Sequence, residues 1–185
     1  MSYSSAGISS RQIRVLRVIA RLNVGGPALH VSLLNSGMDK RFMSWLVTGT
    51  ENPGEGTLLD YALARGVEPV VIPEILGQAN LAPRDVVALI KLMALIRRFR
   101  PHVVHTHTAK AGFLGRLAAW LVGVPVVLHT YHGHVLAGYY GRIRSAGLLV
   151  MERVLARMSD RLIAVSNRVR DDLVSLGVAP ASRFT

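Results

Sequence analysis

The chain contains no cysteine, which excludes a disulfide scaffold, a cysteine-ligated metal and a thiol nucleophile. Acidic residues are scarce: 11 Asp+Glu stand against 22 Lys+Arg, a formal net charge of +11 with histidines neutral. None of those acids lies between His102 and Gly141, and acids are sparse at the predicted strand ends, so a glycosidase-type carboxylate pair is poorly served. No block of five or six consecutive basic residues forms a nucleic-acid arm. Met1 to Ser10 is polar and small, without a charged segment leading into an apolar one, and reads as a flexible tail rather than a signal peptide. The longest uncharged stretch, Leu117 to Gly141, is broken by Gly123-Val124-Pro125 and carries His129, His132 and His134, so it does not read as a membrane span.

What remains is a 185-residue chain that is 50% hydrophobic, with a mean hydropathy of +0.34. That length and apolar content fit one folded domain, residues 11–185, and exclude a solvated coil. The basic excess favours polyanionic partners: nucleic acid, anionic lipid headgroups or phosphorylated substrates. The densest basic run, Arg97-Arg98-Phe99-Arg100, closes an apolar helical pattern and complements a helix C-terminus.

Strand-like and helix-like patterns alternate along the chain. Strands are predicted at Arg14–Ile19, Phe42–Val47, Pro69–Ile72, His102–His105, Val126–Thr130 and Arg161–Val165. Helices are predicted from Pro27, over Thr57–Arg65, Arg84–Arg100 and Ala109–Leu121, up to Met158, and over Asn167–Leu176, with Pro101 and Gly66 as stops. Six such alternations predict an α/β fold: a Rossmann-like, doubly wound parallel sheet, with strand order 3-2-1-4-5 at its centre. The chain stops at Arg183-Phe184-Thr185, where a further strand is expected to begin.

In such a sheet, ligands bind beyond the carboxyl ends of the strands, where the strand order reverses. The loops expected there are Asn23-Val24-Gly25-Gly26-Pro27, Thr106 to Gly112, and Thr130-Tyr131-His132-Gly133-His134. Gly25 and Gly26 let a ligand approach the backbone just before a helix N-terminus, which suits a phosphate or pyrophosphate. The loop is neither G-x-G-x-x-G nor G-K-[ST], and Thr48-Gly49-Thr50 follows strand two in place of an acid, so nicotinamide binding and a P-loop NTPase are disfavoured. Six of the seven histidines lie between His102 and His134, in an H-x-x-H-x-H spacing that occurs twice. Lacking a nearby acid, they read as a polar cluster that donates to phosphate or sugar oxygens and takes up a proton beside an anion, not as a metal site. His102 and His30 read as structural, and Ser166 as a helix N-cap.

These segments resemble four motifs of the family-4 retaining glycosyltransferases of GT-B fold. Asn23 to His30 is similar to their glycine loop, and Val104 to Gly112 to a second signature. His129 to His134 resembles a third, and Glu152–Arg157 through Asp160–Ser166 the segment before their interdomain linker. The resemblance implies the N-terminal, acceptor-side half of a two-domain enzyme. Its C-terminal donor domain, with paired glutamates, would lie outside this chain, so this half should not turn over alone. Such enzymes move a sugar from a nucleotide donor, with retention and usually without metal or other cofactor, to a glycan or lipid-linked acceptor in polysaccharide or cell-envelope synthesis. By motif position, Gly25 and Gly26 would approach the donor diphosphate and His132 the transferred sugar, while His107, Lys110, His134 and Arg142 would line the acceptor side. Pro27-Ala28-Leu29 departs from the small-acidic-arginine run of many members. The aromatic and basic stretch Tyr139 to Arg144 suits an anionic membrane surface, so a cytoplasmic protein on the inner face of the membrane is expected. Two alternatives stay open: a sugar-nucleotide epimerase of GT-B fold, and a basic α/β module that binds nucleic acid.

Overall fold

The computed structural model describes residues 12–76, 82–133 and 142–185. In chain order the elements are β1 Ile13–Ile19, α1 Gly26–Ser36, β2 Phe42–Thr48, α2 Leu59–Leu63, β3 Val70–Val71, α3 Pro83–Phe99, β4 Val103–His107, α4 Ala109–Val122, β5 Val126–Tyr131, α5 Arg142–Arg157, β6 Arg161–Ala164 and α6 Asn167–Ser175. The six strands form one sheet in the order β3-β2-β1-β4-β5-β6, and every pairing is parallel. The doubly wound Rossmann-like sheet is therefore present, and its order reverses between β1 and β4.

Local chemistry sets most of the boundaries. Asp85 accepts the Ala82 N–H at 2.8 Å and caps α3, which stops at Arg100 in the left-handed region (φ 51°) just before Pro101. Ser166 accepts the Val169 N–H at 3.2 Å and caps α6, as predicted. Two predicted elements shrink. Thr57 accepts the Leu59 N–H and makes an antiparallel bridge to Asn23, so α2 starts late. β3 is reduced to two residues at the sheet edge, directly after Pro69, which has no N–H to donate. β4 instead extends two residues past its predicted end, because Thr106 and His107 pair with His129 and Thr130. Phe184 forms a parallel bridge to Leu162 beside β6.

The sheet is covered on both faces. On one, Leu16, Val18, Val47 and Val104 pack against Ala88, Leu92 and Ile96 of α3 and Ala111, Leu114 and Ala118 of α4. On the other, Ile19 and Leu46 pack against Ala28 and Val31 of α1 and Ala62 of α2. Two glycines let α4 lie close to the sheet. A Cβ on Gly112 would stand 2.5 Å from His129 Cε1, and one on Gly115 2.6 Å from Thr106 Cγ2. The period-two alternation then sorts the histidines. His105 is in register with Arg17, and His107 with Thr130; both point to the α1 face, as does His132, two residues past Thr130. His129 faces α4. Among the described residues no helix is long and apolar enough to cross a membrane.

Candidate functional site

The loops after β1, β4 and β5 share the carboxyl edge of the sheet, at the reversal of strand order. After β1 the chain reaches Gly25, which caps α1 with extended backbone and no side-chain hydrogen bond. A Cβ on Gly26 would meet nothing within 4 Å, so internal packing does not require glycine there and the space in front of the loop is open. The Leu29 N–H bonds Gly25 O at 3.2 Å, while the amides of Gly26 and Ala28 belong to the first turn and lack an intrahelical acceptor. Between β4 and α4, Thr108 holds φ 64°, ψ 161°, a region costing a side-chain-bearing residue about 1–3 kcal/mol. Its hydroxyl accepts the Ala20 N–H at 3.3 Å and donates to His107 O at 2.6 Å, tying β4 to the end of β1.

Three imidazoles converge here from three elements. His30 on α1 meets His107 and His132 edge-on, with ring centroids 5.9 and 5.2 Å apart. His107 Nδ1 and His132 Nε2 are 3.1 Å apart. Behind them His105 lies against His107 at 4.2 Å, and its Nε2 is 2.8 Å from Thr130 Oγ1. His107 is fully buried and His30 and His132 are half-buried. Burial lowers the pKa of every one: His105 to about 3, His132 to about 4, His107 well below its ordinary value, and His30 downward. The buried Arg17 guanidinium adds to the effect at His105 and His30. The cluster is therefore neutral at pH 7. Without an anion beside them, desolvation holds the imidazoles in the neutral form, in which they act as donors and acceptors.

The remaining predicted residues are distributed as follows. Lys110 is buried, with Nζ 2.6 Å from Asp85 Oδ2 in the α3–α4 interface. His134 and most of the Tyr139–Arg144 stretch lie outside the described residues, as does the side chain of Arg142, the first residue of α5. His102 is structural as predicted: its Nδ1 accepts the Arg14 N–H at 3.0 Å. A hollow of about 510 Å³, lined by Arg97, Arg100, His102 and Pro125, opens at the opposite, amino-terminal edge of the sheet.

Sequence reasoning missed two features. His30 was assigned to packing, although it lies in the second turn of a helix whose first turn sits at the ligand edge. The second is a buried network beneath β5. Arg116 Nη1 is 2.8 Å from Glu152 Oε1, and Tyr131 O–H donates to the same oxygen at 2.6 Å. Burial and the Glu152 carboxylate push the Tyr131 pKa up, so the phenol stays protonated and ties the strand end that carries His132 to α4 and α5.

The family model described as Glycosyltransferase Family 4 matches residues 24–184. The chain is 34% identical over 116 residues to the UDP-Gal:alpha-D-GlcNAc-diphosphoundecaprenol alpha-1,3-galactosyltransferase of Escherichia coli, covering 63% of this chain and 30% of that protein. It is 30% identical over 169 residues to the UDP-N-acetylglucosamine–N-acetylmuramyl-(pentapeptide) pyrophosphoryl-undecaprenol N-acetylglucosamine transferase of Proteus mirabilis, covering 85% and 43%. The chain thus spans less than half the length of these relatives. Anabaena HepE, solved in complex with UDP, superposes with a TM-score of 0.68 at 16% identity, covering 94% of this chain and 43% of that one. The UDP-GlcNAc 2-epimerase of Neisseria meningitidis, bound to UDP-GlcNAc, does so with 0.63 at 16%, covering 93% and 45%. Likeness at that identity establishes the fold alone.

Proposed function

The chain belongs to glycosyltransferase family 4, and from that premise we propose that it is the acceptor-side half of a retaining, GT-B-type glycosyltransferase working in cell-envelope polysaccharide synthesis. The donor is a nucleotide sugar, and the acceptor a glycan or lipid-linked saccharide. The relatives' names support both classes, since they pair UDP-sugars with undecaprenyl diphosphate acceptors. The observation that carries the reading is the meeting of His30, His107 and His132 at the edge where the glycine-led N-terminus of α1 also opens.

The chemistry follows from that arrangement. As the glycosidic bond to the diphosphate lengthens, negative charge grows on the departing phosphate and positive charge on the sugar. The first-turn amides of Gly26 and Ala28 and the dipole of α1 stabilise the phosphate charge. His132, neutral at pH 7, hydrogen-bonds a hydroxyl of the transferred sugar without adding positive charge beside the oxocarbenium-like centre. His107 holds His132 in place through the 3.1 Å N···N contact. The carboxylates beside the glycine loop are already engaged, Glu55 by Arg21 at 2.9 Å and Glu51 by the Thr57 hydroxyl at 3.0 Å, which favours departure and attack on the same face, assisted by the leaving phosphate. Lys110, paired with Asp85, braces α4 against α3 behind the acceptor side, with His134 and Arg142 assigned there by motif position. Turnover requires the donor-binding half with its paired glutamates. Val86, Val87 and Ile90 are exposed on α3, and with the net positive charge they support peripheral contact with an anionic membrane on its cytoplasmic side.

The epimerase alternative shares the fold, and the family match favours the transferase. Ligand-observed NMR tests the class. The transferase reading expects weak binding of UDP and UDP-sugars that is lost on His132→Ala and little moved by salt. Tight duplex DNA binding with a steep salt dependence, together with indifference to nucleoside diphosphates, would overturn it.

A further inference from the structure

Three neutral imidazoles meet at this edge, two of them hydrogen-bonded nitrogen to nitrogen, a contact that a metal ion replaces when the shared proton leaves. His30, His107 and His132 come from α1, the end of β4 and the turn after β5, and each offers a ring nitrogen within 4.8 Å of the others. A tetrahedral ion with Zn–N bonds of about 2.0–2.1 Å sets its ligand nitrogens roughly 3.3 Å apart. The 3.1 Å between His107 Nδ1 and His132 Nε2 already fits one edge of that tetrahedron. The third nitrogen, on half-buried His30, lies within 4.8 Å of both. His107 is held by packing on His105 at 4.2 Å rather than by a bond to its other nitrogen, since His107 Nε2 is buried without a hydrogen-bond partner.

We propose that His30, His107 and His132 form a binding site for a borderline-soft divalent ion of the zinc class, with the fourth position open at the carboxyl edge of the sheet. Imidazole selects zinc, cobalt, nickel or copper over magnesium and calcium. Arg17, a buried cation whose charge is felt at His30, disfavours a bare dication and favours a fourth ligand that is anionic, such as hydroxide or a phosphate oxygen. The sequence expectation of no metal counted acids between His102 and Gly141 and left out the imidazole that α1 brings from 72 positions before His102. The site does not depend on the transferase reading. Its consequence does: an ion on His132 removes that ring from the sugar, so zinc inhibits donor binding.

Cobalt(II) titration of the full chain tests the site, because tetrahedral cobalt gives an intense visible d–d band. The expected result is one equivalent bound with that band, displaced by zinc and not by magnesium. His30→Gln should weaken binding by at least about tenfold, whereas His102→Gln, at the opposite edge, leaves it unchanged. Circular dichroism confirms that both variants fold, and His132→Gln serves in place of His30→Gln should that variant unfold. The proposal is overturned by the absence of the band, by equal binding in the His30 and wild-type proteins, or by several weak equivalents that His102→Gln also reduces. Cobalt binding with no UDP binding would sink the transferase reading and leave the metal site standing.

Discussion

Arg116 has no exposed surface, and its charge is met by Glu152 at 2.8 Å, with Tyr131 bonded to the same carboxylate oxygen. Glu152→Ala would leave a guanidinium buried without its counter-ion and a buried phenol without its acceptor. Stripping one partner from a buried pair costs about 3–5 kcal/mol, against a total stability of about 5–15 kcal/mol for a domain of this kind. Glu152→Gln keeps an acceptor for Tyr131 and should cost less. The double variant Arg116→Met, Glu152→Leu removes both charges and should recover most of the loss. Equilibrium urea unfolding of the full chain, followed by far-UV circular dichroism, measures all three. A loss below about 1 kcal/mol for Glu152→Ala, or a double variant no better than the single one, would refute the claim that this pair clamps β5 to α4 and α5.

Three further outcomes follow from the same geometry. Gly112→Ala drives a Cβ to 2.5 Å from His129 Cε1, so urea unfolding should show a loss of about 1–3 kcal/mol. Gly26→Ala meets nothing within 4 Å and should keep or raise stability by about 0.5–1 kcal/mol, while UDP binding, read by NMR, weakens; a drop in stability would contradict the open loop. Acidification should destabilise the fold. His105 protonates near 6.5 when unfolded but only at about 3 when folded, so its contribution is complete above pH 6.5 and is lost as pH falls toward 3. By pH 5 His105 alone accounts for about 2 kcal/mol, and His107, His129 and His132 act in the same direction. A melting temperature that stays flat or rises from pH 7 to 5 would contradict the neutral cluster.

The strands and helices were largely legible because punctuation and pattern agree. Pro27, Pro101, Gly123 and Pro125 mark turns, and β-branched runs such as Val103-Val104 and Val126-Val127 mark strands between them. β4 ended too early in the reading because Thr106 and His107 look like loop residues; only their pairing with His129 and Thr130, more than twenty positions later, makes them strand. Buried charges were the least legible part. Lys110 reads as a cation free to meet a ligand until α3 brings Asp85 against it, and Arg116 and Glu152 read as the polar faces of two separate helices. His30 was hidden in the same way: its partners His107 and His132 lie on the other half of the sheet, and helical periodicity assigned it to the boundary of an apolar stripe. Local pattern finds elements, whereas a site assembled from three crossovers depends on contacts no local pattern contains.

The most direct measurement is an ¹⁵N–¹H NMR titration of the chain with UDP, following backbone amides and imidazole nitrogens residue by residue. Shifts concentrated at Gly25, Gly26, Ala28, His107 and His132 are predicted, with Arg97, Arg100 and His102 unmoved. Shifts confined to that opposite edge, or none at these five residues at saturating UDP, would contradict the account.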